Sequence, residues 1–256
     1  MQLEWLSGGL NGARDFRLIT DHRPVTGALW SPDEIRADTP LVLCGHGASG
    51  DRYQAPIPHL ATRLGNERGY ATLAIDGPVH GLRQQGPGGR AALAEEFKRQ
   101  TCVDDMVADW MLALATMRQE TDLAEGPLGY FGLSMGSIFG IPLLAAARQS
   151  GIDFDVSVLG LAGTTGAVSF LGERLLEDAA EIEHPVLFLM QLEDELFDRG
   201  GYLALFDAIA STDKRLHANP GLHPEIPSDE VDFAFDFLAA RLAGPVPRRV
   251  TNPLAE

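Results

Sequence analysis

Five apolar runs of strand length, at residues 41–44, 70–75, 128–133, 156–161 and 186–191, recur along this chain at intervals too long for hairpin turns. No other feature restricts the fold as much. Strands joined by a helix-length connection pair in parallel and are covered on both faces, which is why each run is apolar throughout rather than alternating. The intervening segments meet that demand. Residues 57–68, 102–120 and 137–149 carry apolar side chains at helical spacing, and 202–210 and 230–242 continue the pattern. A short run at 216–218 reads as a last strand. Near the start, 15–20 and 25–30 are β-prone and separated by Asp21-His22-Arg23-Pro24, which predicts an opening antiparallel hairpin. The expected architecture is α/β: a mostly parallel eight-stranded sheet with helices on both faces. Working groups in such a sheet collect in loops at the carboxyl ends of the strands.

A chain of 256 residues with this rhythm is expected to form one domain over 1–256, with no internal repeat and no low-complexity linker. The glycine-rich stretch 86–89 and the helix-prone segment after it place either a small flap or a plain surface excursion within 82–100. The tail 245–256, with three prolines, reads as irregular. The formal charge of −16 comes from 36 acidic against 20 basic side chains, of which only Lys98 and Lys214 are lysine. That balance lacks the clustered basic surface a nucleic-acid site needs. Cys44 and Cys102 lie in apolar surroundings and read as buried free thiols. Residues 1–17 contain Glu4, Arg14, Asp15 and Arg17 and no long apolar stretch, so neither a secretory signal nor a membrane span is expected there, and the location expected by default is cytoplasmic.

Chemistry enters at Gly132-Leu133-Ser134-Met135-Gly136, between the apolar run ending at 133 and the helical run 137–149. This reads as a nucleophile elbow, in which a sharp strand-to-helix turn holds a serine hydroxyl over the sheet edge and small residues on either side avoid collisions. A serine needs a base to take its proton as it attacks. Of seven histidines, His22, His46, His59, His80, His184, His217 and His223, the last lies in a loop between the final strand and the final helix and can reach across the sheet edge. His217, fixed in or at the end of that strand, is the runner-up. The imidazole needs a carboxylate at its other nitrogen, and Asp194, just past the strand at 186–191, is preferred over Glu193, Glu195 and Asp198. The order Ser134, Asp194, His223 is the one this elbow architecture uses. After the strand at 41–44, Gly45-His46-Gly47-Ala48 lets backbone approach a substrate closely, and the N–H groups of Ala48 and Met135 are candidate donors to a developing oxyanion.

With these signals the chain resembles the α/β-hydrolase superfamily over nearly its whole length, in the branch of small serine esterases and dienelactone-hydrolase-like proteins. The segment Asp76-Gly77-Pro78-Val79-His80-Gly81-Leu82-Arg83 is similar to a loop of that branch that shapes the turn and the pocket wall, so Asp76 and His80 are expected to be structural. The resemblance implies hydrolysis of a small or medium ester, or a related acyl compound, through a covalent acyl-enzyme, with neither cofactor nor metal. The same triad would serve a thioesterase, lactonase, carbon–carbon bond hydrolase, peptidase or acyltransferase, and a catalytically silent ligand-binding member is the reading from another class. The chain has serine where dienelactone hydrolase has cysteine. Only 162–184 separates two strands where capped members insert a subdomain, so no large cap is expected.

Overall fold

A computed structural model of the chain describes residues 1–246; the rest of the tail expected to be irregular lies outside the described residues. The opening hairpin is formed by Arg14–Ile19 (β2) and Val25–Trp30 (β3), paired antiparallel. The five apolar runs become Leu41–Gly45 (β4), Ala71–Ile75 (β5), Leu128–Gly132 (β6), Val156–Gly160 (β7) and Val186–Gln191 (β8), and Lys214–Asn219 (β9) follows. Among β4 to β9 every pairing is parallel, and β3 joins them antiparallel to β5.

The sheet has nine strands among the described residues, one more than the eight expected, in the order β1-β2-β3-β5-β4-β6-β7-β8-β9. The additional strand is Gln2–Trp5 (β1), antiparallel to β2 at the sheet edge. Its physical signal is faint because only four residues take part and none is fully buried. Trp5 is held by an edge contact with Phe16 at 6.2 Å and by the Arg14 guanidinium 3.9 Å over its ring.

Successive side chains of a strand point to opposite faces, and the two cores follow from that alternation. Leu41 and Leu43 enter one core, while Val42 and Cys44 enter the other. The first core is closed by Cys102–Glu120 (α3) and Met135–Gln149 (α4), and the second by Ile57–Arg63 (α1) and Ser228–Leu242 (α7). Side chains such as Leu43, Leu73, Val158 and Phe188 are fully removed from water. Each contributes roughly 1.5–3 kcal/mol relative to an exposed position. The segment 82–100 contains a helix, Gly89–Glu96 (α2), within its helix-prone part, and the insert 162–184 contains another, Gly172–Ala179 (α5), that is not expected from the sequence. Arg199–Ala208 (α6) follows β8. Cys44 and Cys102 are buried and unpaired, and burial pushes both thiols up in pKa, Cys102 to about 12. Among the described residues no helix is long and apolar enough to cross a membrane.

Candidate active site

Ser134 sits where β6 ends and α4 begins, at φ 57° and ψ −121°. A non-glycine residue there is strained by about 1–3 kcal/mol and persists only when its surroundings hold it. Several contacts do so. The Ser134 N–H donates to the Gly160 carbonyl at 2.9 Å, and the buried Tyr130 hydroxyl donates to the Gly136 carbonyl at 2.6 Å. The flanking glycines are required by space. A Cβ on Gly132 would lie 2.7 Å from the Tyr130 ring, and one on Gly136 would lie 2.3 Å from the Gly45 carbonyl oxygen.

His223, on the loop between β9 and α7, reaches back across the sheet edge. Its Nε2 lies 2.8 Å from Ser134 Oγ and its Nδ1 lies 2.7 Å from Asp194 Oδ2. Because Asp194 accepts, Nδ1 carries the proton and the Nε2 lone pair faces the serine hydroxyl, an assignment made from the hydrogen-bond network. The ring is buried, with Phe197 at 5.7 Å, and the loop is tied down by Gln191, whose Nε2 donates to the carbonyls of Glu225 at 2.6 Å and Leu222 at 3.3 Å.

Asp194 occupies the turn after β8. Its Oδ1 accepts from the N–H groups of Leu196 at 2.7 Å and Phe197 at 3.0 Å, while its Oδ2 accepts from the Tyr202 hydroxyl and from His223. Burial alone would raise its pKa; the hydrogen bonds from Tyr202, His223 and Leu196 outweigh that and hold it below the usual carboxylate range. The competing groups are engaged elsewhere. Glu195 accepts from the His223 backbone N–H, Glu193 from that of Gly221, and Asp198 caps α6 through the Gly201 N–H. His217 lies 2.8 Å from Glu230.

The loop after β4 is clasped to the loop after β5 by two histidines. His46 donates from Nδ1 to the Gly47 carbonyl at 2.8 Å and accepts the Gly77 N–H at Nε2, also at 2.8 Å; burial pulls its pKa down to about 4, so the ring is neutral. His80 lies 3.1 Å from the Ala48 carbonyl, and Asp76 accepts from Thr26, Arg52 and the Leu82 N–H. Asp76 and His80 thus hold the wall together. The N–H groups of Ala48 and Met135 have no hydrogen-bond partner among the described residues, and both residues border the same cavity as Ser134. That cavity holds about 570 Å³ and is walled mainly by apolar groups, among them Phe131, Leu133, Ile138, Leu161 and Val168. Segment 82–100 forms part of the wall: Phe97 stacks on Phe139 at 5.6 Å and meets Phe170 edge-on at 5.5 Å. Among the described residues no group of three or more His, Cys, Asp or Glu is placed to hold a metal ion.

No protein-family model and no curated protein matches the sequence. Solved structures do. A cold-adapted esterase from an Arctic intertidal metagenomic library is 33% identical over 93% of this chain and 99% of its own, with a TM-score of 0.78. The chain belongs to the esterases of the α/β-hydrolase superfamily. It is a carboxylic ester hydrolase. The fold alone is shared with Est1E from Butyrivibrio proteoclasticus (16% identity, 90% of this chain and 99% of that one, TM-score 0.64) and with an acetyl xylan esterase from Paenibacillus sp. R4 (16%, 94% and 88%, TM-score 0.68).

The structure brings together Ser134, Asp194, His223, Ala48 and Met135, all five positions singled out in the sequence. Two supporting residues of this esterase carry no sequence signal of their own. Tyr202 reads as a core aromatic on α6, and Gln191 as the polar end of a strand; only the fold shows that one donates to Asp194 and the other holds the His223 loop.

Proposed function

We propose that this esterase cleaves small to medium carboxylic esters through Ser134, His223 and Asp194 by way of a covalent acyl-enzyme. His223 Nε2 takes the hydroxyl proton as Ser134 Oγ attacks the ester carbonyl carbon. The carbonyl electrons move to oxygen, where the N–H groups of Ala48 and Met135 donate to the oxyanion. Collapse of the tetrahedral species expels the alcohol, which receives the proton from His223, and the acyl group stays on Oγ. Water, deprotonated by the same imidazole, then attacks the acyl carbon; the second tetrahedral species breaks its bond to Oγ, the carboxylic acid departs and His223 returns the proton to Ser134 Oγ. Asp194 holds the imidazole in the Nδ1–H tautomer and stabilises the imidazolium.

The observation that carries this reading is the chain of short contacts from Asp194 Oδ2 to His223 Nδ1 and from His223 Nε2 to Ser134 Oγ, ending on a serine held at positive φ. The 570 Å³ cavity supports the substrate size, since pockets of about 300–1,000 Å³ enclose small organic ligands. Steady-state hydrolysis of short 4-nitrophenyl esters tests it. Ser134→Ala is expected to lower kcat by several powers of ten, on the order of 10⁴ or more. Wild-type turnover in that variant would overturn the assignment.

A further inference from the structure

The cavity at Ser134 is unusual for this chain in its charges. The chain has 36 acidic side chains and a net charge of −16, yet among the described residues lining the cavity there is no Asp or Glu, and Arg90 is its sole Lys or Arg. Arg90 lies in the first turn of α2, and the cavity is bordered by Arg90, Leu93, Ala94 and Phe97. That spacing of three, four and seven residues is a single helix face, so Arg90 belongs to the stripe turned toward the site. The other charges of this segment are satisfied locally: Glu95 pairs with Lys98, and Glu96 with Arg99. Arg90 is exposed at the rim and has no ion pair and no side-chain hydrogen bond among the described residues.

The first turn of a helix carries a partial positive charge, and α2 has no acidic residue there to offset a guanidinium. An anion at the cavity mouth would satisfy both. The guanidinium offers a flat fork of donors that matches a carboxylate, and one fixed positive charge balances one negative charge. Along the helix Arg90 stands about 10 Å from Phe97, at a rise of about 1.5 Å per residue, so an apolar stem can lie on Leu93 and Phe97 with its charged end at Arg90.

Resting on the Ser134 reading above, we propose that Arg90 forms an anion subsite at the mouth of the cavity, and that the substrates of this esterase are esters carrying a free carboxylate. The hydrolysed bond and the role of each catalytic group are unchanged; the subsite adds recognition of the distal charge.

The test compares matched esters with and without that charge. On the acyl side the pairs are mono-4-nitrophenyl adipate against 4-nitrophenyl hexanoate, and mono-4-nitrophenyl suberate against the octanoate. On the alcohol side the pair is 4-acetoxybenzoate against phenyl acetate. The readout is the ratio of kcat/KM for the charged over the neutral member. In Arg90→Gln that ratio is expected to fall about five-fold for at least one side, the size of a screened surface ion pair. Arg90→Lys should keep part of it, and 0.5 M salt should reduce the wild-type ratio, because exposed charges are screened within about 8–10 Å at ordinary ionic strength. A ratio that ignores Arg90→Gln on both sides, with neutral esters still cleaved through Ser134, overturns the subsite and leaves the catalytic reading standing. Failure of the wild-type protein to cleave any of these esters overturns both.

Discussion

Replacing Gly136 by alanine places one methyl group inside the narrowest part of the elbow. The new Cβ would meet Gly45 O at 2.3 Å and Gly45 C at 2.8 Å. Ordinary carbon–oxygen contacts lie at about 3.3–3.6 Å, so roughly 1 Å of relief is needed. Both obstructing atoms are backbone of β4 and cannot rotate away, so either the start of α4 or the end of β4 must shift. Ser134 precedes α4 and Gly45 leads into Ala48, and the shift therefore falls between the proposed nucleophile and one of the proposed oxyanion donors. Overpacking of this kind costs roughly 1–3 kcal/mol. For a chain of this size that corresponds to a fall in Tm of roughly 2–12 °C. A misplacement of about 1 Å at the reacting atoms costs on the order of 10²-fold in rate. Thermal unfolding and 4-nitrophenyl ester kinetics measure the two effects. Gly65→Ala is the control: the nearest atom to its added Cβ is the Tyr70 carbonyl oxygen at 3.9 Å, so the same chemical change is expected to be neutral or stabilising by about 0.5 kcal/mol. Wild-type Tm and kcat/KM in Gly136→Ala would refute the steric argument.

Tyr202→Phe keeps the ring packed on Phe188 and Phe197 but removes a donor from the buried Asp194 carboxylate. A hydrogen bond to a charged group is worth about 1.5–3 kcal/mol, and a loss of that order in denaturant unfolding at pH 7 is expected; unchanged stability would contradict the account. Burial lowers the His184 pKa from 6.5 to about 4, so between those values the unfolded chain binds more protons than the folded one. Stability from this residue is complete above about pH 6.5 and falls by up to about 3 kcal/mol as the pH drops toward 4. His184→Gln is expected to flatten that slope in unfolding curves taken from pH 7 to 4.5, and parallel curves for the two proteins would refute it.

The parts of this fold that were legible in the sequence are those with dense local signals. The five buried strands have nearly uniform apolar runs, and α3 starts and stops at Cys102 and Glu120 as its spacing predicts. Ser134 was legible because a strand, two small residues and a helix meet within a few positions, and His223 because its loop follows the last strand. Strand β1 was not: with four residues and a half-buried pattern, its place depends on pairing with β2. Helix α5 buries Gly172, Leu175 and Ala179 and exposes a charged face, too thin an apolar stripe to separate from a loop. The contact of Tyr202 with Asp194 and the place of Arg90 on the cavity wall follow from tertiary structure alone. A tyrosine on a helix reads as core until its hydroxyl is seen against Asp194, and an arginine after a run of glycines reads as surface until the helix turns its face to the cavity.

The central claim is that Ser134 is the nucleophile activated by His223. Incubation with a fluorophosphonate, followed by peptide mass spectrometry, tests it at the level of the atom. A phosphonyl adduct on the peptide containing Ser134 is expected, absent in Ser134→Ala and formed orders of magnitude more slowly in His223→Ala. Activity lost to an adduct on another residue, or an active enzyme with Ser134 unlabelled, would contradict the account.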